Sequence, residues 1–180
     1  IGYIGIGHRK LNEKMFRLIE ENQILLIDGF VGTYFDEFTY ELNKYYNEKM
    51  KNKNSSSLMF YDTRVLLQID RNHLNDISIS SSESIFGKLT TNLDFKKDFI
   101  DLNYLNYLKN NLSYPCVISG PGASFINETS PLIYIDLAKN ELYYRLAAQT
   151  ACSYLKPNDN DDIRKPISTI REQKYLYCLD

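Results

Sequence analysis

The sequence predicts an α/β fold, namely a three-layer, mainly parallel sheet with helices on both faces. Three uninterrupted apolar runs, at residues 24–27, 116–118 and 132–135, are typical of strands that are buried on both faces. Each run is followed by a segment with helical spacing, and right-handed crossovers place such strands side by side. We therefore expect the three runs to be adjacent parallel strands of one sheet.

Two helices are predicted in the first fifty residues, one on each side of the first strand. Over residues 9–22 and about 34–50, apolar side chains recur every three or four positions, as they do on one face of a helix. Thr33, followed three residues later by Asp36, resembles a capping box at the start of the second helix.

The middle of the chain predicts short strands at residues 65–69 and 77–79, where apolar residues run together or alternate with polar ones. A further helix is predicted from Phe95 to near Asn110 by its apolar spacing. The third apolar run passes into a last helix through Leu142.

The expected domain organisation follows from this order of elements. Residues 1–156 should form a single α/β domain, because strands and helices alternate throughout that range. Residues 157–180 comprise an acidic loop and a C-terminal segment, which we expect to lead to a further domain. The first residue is Ile1 rather than Met, which also favours a domain of a longer protein.

Composition and charge exclude several classes of function. The 180 residues carry 21 Lys and Arg against 23 Asp and Glu, a formal charge of −2, whereas a nucleic-acid partner requires a basic surface. No apolar run approaches the roughly 18–20 residues that cross a bilayer, and no signal segment is evident. We therefore expect a cytoplasmic protein without nucleic-acid or membrane partners.

Neither a metal centre nor a catalytic set can be assembled from the residue types present. The chain has two histidines and three widely spaced cysteines, without a C-x-x-C pair. The phosphate-binding pattern G-x-x-x-x-G-K-[ST] is absent, since no Lys-Ser or Lys-Thr pair follows Gly32. A working kinase of that class is therefore disfavoured, and we predict no catalytic or metal-binding residues.

A ligand, if one binds, should lie beyond the carboxyl ends of the strands, as in other open α/β sheets. The backbone N–H groups of two glycine-rich loops could form an anion-binding concavity there, and Lys88 or Arg145 could add positive charge. The alternative is that the glycines serve tight turns alone. The candidate ligand-binding residues are Asp28, Gly29, Gly32, Gly120, Gly122, Ala123, Asp136 and Arg145.

Several segments together resemble a known family. They are residues 24–32, 85–88, 98–101, 117–123 and 132–138, with the pair Glu141 and Arg145 after them. Their order and spacing resemble the N-terminal half of the long, two-part class I mannose-6-phosphate isomerases of bacteria. The resemblance covers about residues 24–150, and its most specific part is the Gly-Pro-Gly-Ala turn with the strand and helix that follow.

This resemblance implies a P-loop-kinase-like domain that lacks the phosphate-gripping lysine and precedes a metal-dependent cupin domain. The chain departs from the family by having no Trp and by carrying Val31 where a proline is usual. It also lacks the Gln-x-His pair of the cupin zinc site. Isomerisation of mannose 6-phosphate to fructose 6-phosphate would therefore belong to sequence beyond Asp180, and no cofactor is expected in this segment.

Three functions remain open. The first is a non-catalytic kinase-like domain whose partner is the downstream isomerase domain of the same chain, with or without homo-oligomers. The second is a module that binds a small molecule, a nucleotide or a sugar phosphate. The third is a divergent phosphotransferase that uses Lys88 or Arg145, which the missing Lys-Ser/Thr pair makes less favourable than the first.

Overall fold

The computed structural model describes residues 7–30, 32–51, 56–67 and 94–148. The chain divides into two compact units. The first unit comprises Ile1–Gly29, Tyr34–Thr63 and Tyr107–Ile135, and the second comprises Phe30–Thr33, Arg64–Asn106 and Asp136–Asp180. The expected domain end at residue 156 lies outside the described residues.

A four-stranded, all-parallel sheet forms the centre of the first unit and confirms the α/β class. Its strands are β1 (Ile24–Gly29), β2 (Met59–Asp62), β3 (Cys116–Ser119) and β4 (Leu132–Ile135), in the order β2-β3-β1-β4. The three predicted strands are therefore parallel neighbours, as expected. Every residue of β1 and of β3 is buried, so both faces of these two strands are covered, as a three-layer arrangement requires.

Five α-helices lie within the described residues. They are α1 (His8–Asn22), α2 (Phe35–Met50), α3 (Phe95–Phe99), α4 (Leu102–Asn110) and α5 (Lys139–Ala147). The helix expected after the run at residues 116–118 is absent, because the connection from β3 to β4 holds only a turn of 3-10 helix at Ala123–Phe125. In the first unit, α1 packs against α2 through Phe16, whose ring centroid lies 5.9 Å from that of Tyr45 and 5.6 Å from that of Tyr46. Each described helix is too short or too polar to cross a membrane.

The helix predicted from Phe95 to near Asn110 is interrupted in the second unit. Ile100 has extended backbone and pairs with Leu67 in an isolated antiparallel bridge. Asp101 then begins α4, because its Oδ1 accepts hydrogen bonds from the N–H groups of Asn103 (2.9 Å) and Tyr104 (3.1 Å). An aspartate in this capping position starts a new helix rather than continuing the old one.

Two predictions about the strands need correction. The strand predicted at residues 65–69 is wrong as far as it is described, because Thr63–Leu66 form a turn of 3-10 helix. Strand β2, at one edge of the sheet, was not predicted. The expectation that residues 132–135 are buried on both faces is wrong, because β4 is the other edge strand and alternates exposed with half-buried residues. The strand predicted at 77–79 and Lys88 lie outside the described residues.

Candidate functional site

The carboxyl end of β1 meets the loop after β3 at the carboxylate of Asp28. This side chain is buried, and its two oxygens accept four hydrogen bonds. Oδ1 accepts from the backbone N–H groups of Gly29 (2.8 Å) and Gly122 (3.2 Å). Oδ2 accepts from the N–H group of Ser124 (3.1 Å) and from its hydroxyl (2.7 Å). Asp28 therefore fastens the glycine-rich loop to the end of the strand.

Sheet topology explains why these residues meet. Because β1 and β3 are parallel neighbours, with Ile27 paired to Ser119, both strands end at the same edge of the sheet. The Gly120 N–H donates to the carbonyl of Ile27 (3.0 Å) and extends the pairing by one residue. The structure thus brings together five of the candidate residues: Asp28, Gly29, Gly120, Gly122 and Ala123.

The amides expected to bind an external anion already bind an internal one. The N–H groups of Gly29, Gly122 and Ser124 converge on the Asp28 carboxylate, as backbone nests converge on anions. Ser124 ends the loop of residues 120–124 in which the site is predicted, but it was not among the eight candidate ligand-binding residues. The available signal was an aspartate at the end of a buried strand together with a hydroxyl residue in the loop after its neighbour.

Thr63, which follows β2, contacts the same loop through its hydroxyl. The sequence did not predict this residue as part of the site. It is fully buried, and its hydroxyl lies 2.9 Å from the carbonyl oxygen of Pro121 and 3.3 Å from that of Ser119. Gly120 has φ of 122°, and a Cβ atom there would lie 2.5 Å from Thr63 Oγ1. The loop therefore requires glycine at position 120 on both conformational and steric grounds.

In the second unit, Arg145 of α5 is bonded to two oxygens. Its Nε donates to Glu141 Oε1 at 2.7 Å and forms an i, i+4 ion pair with that carboxylate. Its NH1 donates to the carbonyl oxygen of Gly32 at 2.8 Å, and its side chain is 19% exposed. Gly32 has φ of 83°, and a Cβ atom there would meet Leu142 at 2.8 Å. Asp136 is exposed.

Thr33 carries a buried hydroxyl that has no hydrogen-bond partner among the described residues. The capping box predicted for it is wrong, because Tyr34 occupies the N-cap position of α2 and no side chain caps this helix. An unsatisfied buried hydroxyl destabilises a fold by about 1–3 kcal/mol. Among the described residues, Thr33 Oγ1 is the one buried side-chain oxygen or nitrogen without a hydrogen-bond partner.

Replacing Thr33 by the isosteric Val should raise the free energy of unfolding by about 1 kcal/mol, because it removes a hydroxyl that bonds to nothing among the described residues. Urea unfolding followed by circular dichroism measures the change. The matched control is Thr63→Val, which should lower stability, since the Thr63 hydroxyl donates to the buried carbonyl oxygen of Pro121 at 2.9 Å. A loss of stability in Thr33→Val would mean that this hydroxyl has an ordered partner.

Other chemistry is sparse in the described part of the chain. Burial raises the pKa of the Cys116 thiol to about 11, so the thiol is protonated at neutral pH and is a poor nucleophile. Within the ranges that the structure describes, no group of three or more His, Cys, Asp or Glu residues is arranged to hold a metal ion.

A family model described as "Domain of unknown function (DUF8485)" matches residues 9–168, which is most of the chain. No curated protein and no solved structure matches.

Proposed function

Because this chain belongs to the DUF8485 family, whose description gives no activity, we propose its function from the site and the sequence resemblance. It is a cytoplasmic, non-catalytic, kinase-like domain that serves a mannose-6-phosphate isomerase as a folding, oligomerisation or regulatory element. Isomerisation to fructose 6-phosphate would take place in a downstream zinc-dependent cupin domain of the same protein.

The four hydrogen bonds accepted by the Asp28 carboxylate are the observation that carries the non-catalytic role. A phosphoryl group held at this edge of the sheet would need the N–H groups of Gly122 and Ser124, which point at Asp28 instead. A second anion beside a buried carboxylate is also repelled by it. Both effects weigh against a phosphotransferase.

The contacts of Arg145 also weigh against a phosphotransferase. Its guanidinium is already bonded to the Glu141 carboxylate and to the carbonyl of Gly32, so part of its positive charge is already offset. Together with the missing Lys-Ser/Thr pair, this leaves little to stabilise a transferring phosphoryl group. The proposed isomerase partner rests on the resemblance of residues 24–150.

One observation favours the alternative, a module that binds a nucleotide or sugar phosphate. The Thr33 hydroxyl is buried without a described partner next to Gly32, whose carbonyl Arg145 holds. A ligand oxygen bonded to that hydroxyl would satisfy it. In that case mannose 6-phosphate or ATP should raise the melting temperature by mass action, and the rise should be lost in Thr33→Val.

The proposal is tested on the chain described here and on the product of its complete reading frame. The chain alone, given ATP, Mg²⁺ and mannose 6-phosphate, should neither transfer phosphate nor isomerise the sugar. The complete product should interconvert mannose 6-phosphate and fructose 6-phosphate in a zinc-dependent way. Phosphoryl transfer by the chain alone, or a complete product without isomerase activity, would overturn the proposal.

A further inference from the structure

Helices α1 and α2 of the first unit border a groove of about 440 Å³, lined by His8, Asn12, Glu37, Phe38, Tyr40 and Glu41. Its volume lies within the range of small-molecule sites. The groove plays no part in the Asp28 site. Among the described residues, its lining combines two carboxylates, an amide, the imidazole of His8 and two aromatic rings, without a lysine or arginine.

The two carboxylates lack counter-charges in the described part of the chain. Glu37 and Glu41 are four residues apart on α2 and therefore lie on the same side of the helix. Neither makes an ion pair or a side-chain hydrogen bond with a described residue, unlike Glu13 and Glu141, which pair with arginines. Two like charges at this spacing destabilise a helix unless a cation is shared between them.

Asn12 supplies a second, independent indication of a ligand. It lies four residues after His8 on α1, lines the groove and is only 6% exposed. Within the described residues its side-chain amide has no hydrogen-bond partner, so the small exposed part of the side chain faces the groove. The Asn12 amide oxygen can therefore accept a hydrogen bond from a ligand donor in the groove.

The aromatic rings complete the chemistry of the lining. Phe38 is half-buried and Tyr40 is 67% exposed, so their rings offer faces on which an apolar stem or a cation can rest. A bare metal ion fits less well, because the described His, Cys, Asp and Glu residues form no group that could hold one.

We propose that this groove binds a small organic cation, namely a protonated amine or guanidinium on an apolar stem. The charged head bonds to the carboxylates of Glu37 and Glu41 and to the Asn12 amide oxygen, while the stem lies against Phe38 and Tyr40. Such a cation would come from a free amine or from a lysine or arginine side chain of a peptide.

The test is an NMR titration of the chain with cadaverine and with agmatine, and in a separate arm with a short lysine-containing peptide. Saturable shifts should be confined to the Asn12 side-chain amide and to the backbone amides of residues 37–41. The neutral diol analogue of cadaverine should cause none. Binding of the peptide but not of the free amines would identify a peptide side chain as the source of the cation.

Matched variants separate this site from nonspecific attraction to an acidic surface. Glu37→Gln and Glu41→Gln should each weaken binding about fivefold. Glu48→Gln removes the same charge from α2 outside the groove and should leave the affinity unchanged. Asn12→Leu should weaken binding while keeping a folded spectrum and undiminished stability. Absence of saturable shifts in every arm, equal binding of the diol, or equal weakening by Glu48→Gln would overturn the proposal.

Discussion

Replacing Asp28 by Ala should lower the free energy of unfolding by about 3–5 kcal/mol, the largest loss expected from a single polar substitution in this site. The carboxylate accepts four hydrogen bonds in a buried position. Without it, the N–H groups of Gly122 and Ser124 lose their acceptor and the loop loses its attachment to β1. Urea unfolding at neutral pH measures the loss as a lower midpoint with an unchanged slope.

Three variants show whether the loss comes from the hydrogen bonds to the carboxylate. Asp28→Asn keeps the size of the side chain but replaces one acceptor oxygen by a donor, so its loss should be smaller than that of Asp28→Ala. Ser124→Ala removes one of the four bonds and should cost about 1 kcal/mol. Asp136→Ala removes an exposed carboxylate and should change stability by less than about 0.5 kcal/mol.

Chemical rescue tests the idea that Asp28 acts as an internal anion. Formate is a carboxylate small enough to enter the space that Asp28→Ala vacates and to accept from the same N–H groups. It should therefore raise the melting temperature of Asp28→Ala by mass action and leave that of the wild type unchanged. If Asp28→Ala proves as stable as Asp136→Ala, the loop is held by other contacts.

The central strands could be predicted because burial on both faces leaves an uninterrupted apolar run. This is the case for β1 and β3, in which every residue is buried. Strands β2 and β4 are both edge strands without a fully buried residue, and an apolar run accompanies each, at residues 58–61 and 132–135. Burial therefore does not explain why only the second of them was predicted. The break between α3 and α4 was also missed. Apolar spacing continues across Asp101, and only its side-chain hydrogen bonds reveal the new helix start.

The position of the candidate site could be predicted from the sequence, but the group that its backbone N–H groups bind could not. Strand topology places Asp28 near Gly122, because parallel neighbours end at the same edge. A glycine-rich loop has the same sequence pattern whether its N–H groups face an external phosphate or an internal carboxylate. The choice depends on short contacts such as the 3.1 Å from Ser124 N to Asp28 Oδ2, which sequence spacing does not determine.

The lining of the groove between α1 and α2 could not be predicted from sequence spacing either. Each helix presents a visible i, i+4 pair, His8 with Asn12 and Glu37 with Glu41. Which side of one helix faces the other is set by the packing of Phe16 against the two adjacent tyrosines of α2, a contact between segments far apart in sequence. The four residues therefore become one lining only after the helices have packed.

Replacing Gly120 by Ala should lower the free energy of unfolding by about 2–4 kcal/mol. Two effects add. A φ of 122° is strained for any residue with a side chain, and the new Cβ atom would lie 2.5 Å from Thr63 Oγ1 and 3.3 Å from Thr63 N. Thr63 cannot move aside easily, because it is fully buried and its hydroxyl bonds to Pro121.

Two controls separate the steric effect from the backbone effect. Gly7 also has a positive φ, of 90°, but a Cβ atom there would meet nothing within 4 Å, so Gly7→Ala should show only the conformational cost of about 1–3 kcal/mol. Thr63→Ala removes the hydroxyl that the new Cβ atom of Gly120→Ala would strike. The double variant should therefore be more stable than the sum of the two single losses predicts. Strict additivity would mean that backbone strain alone, and not contact with Thr63, demands glycine in this loop.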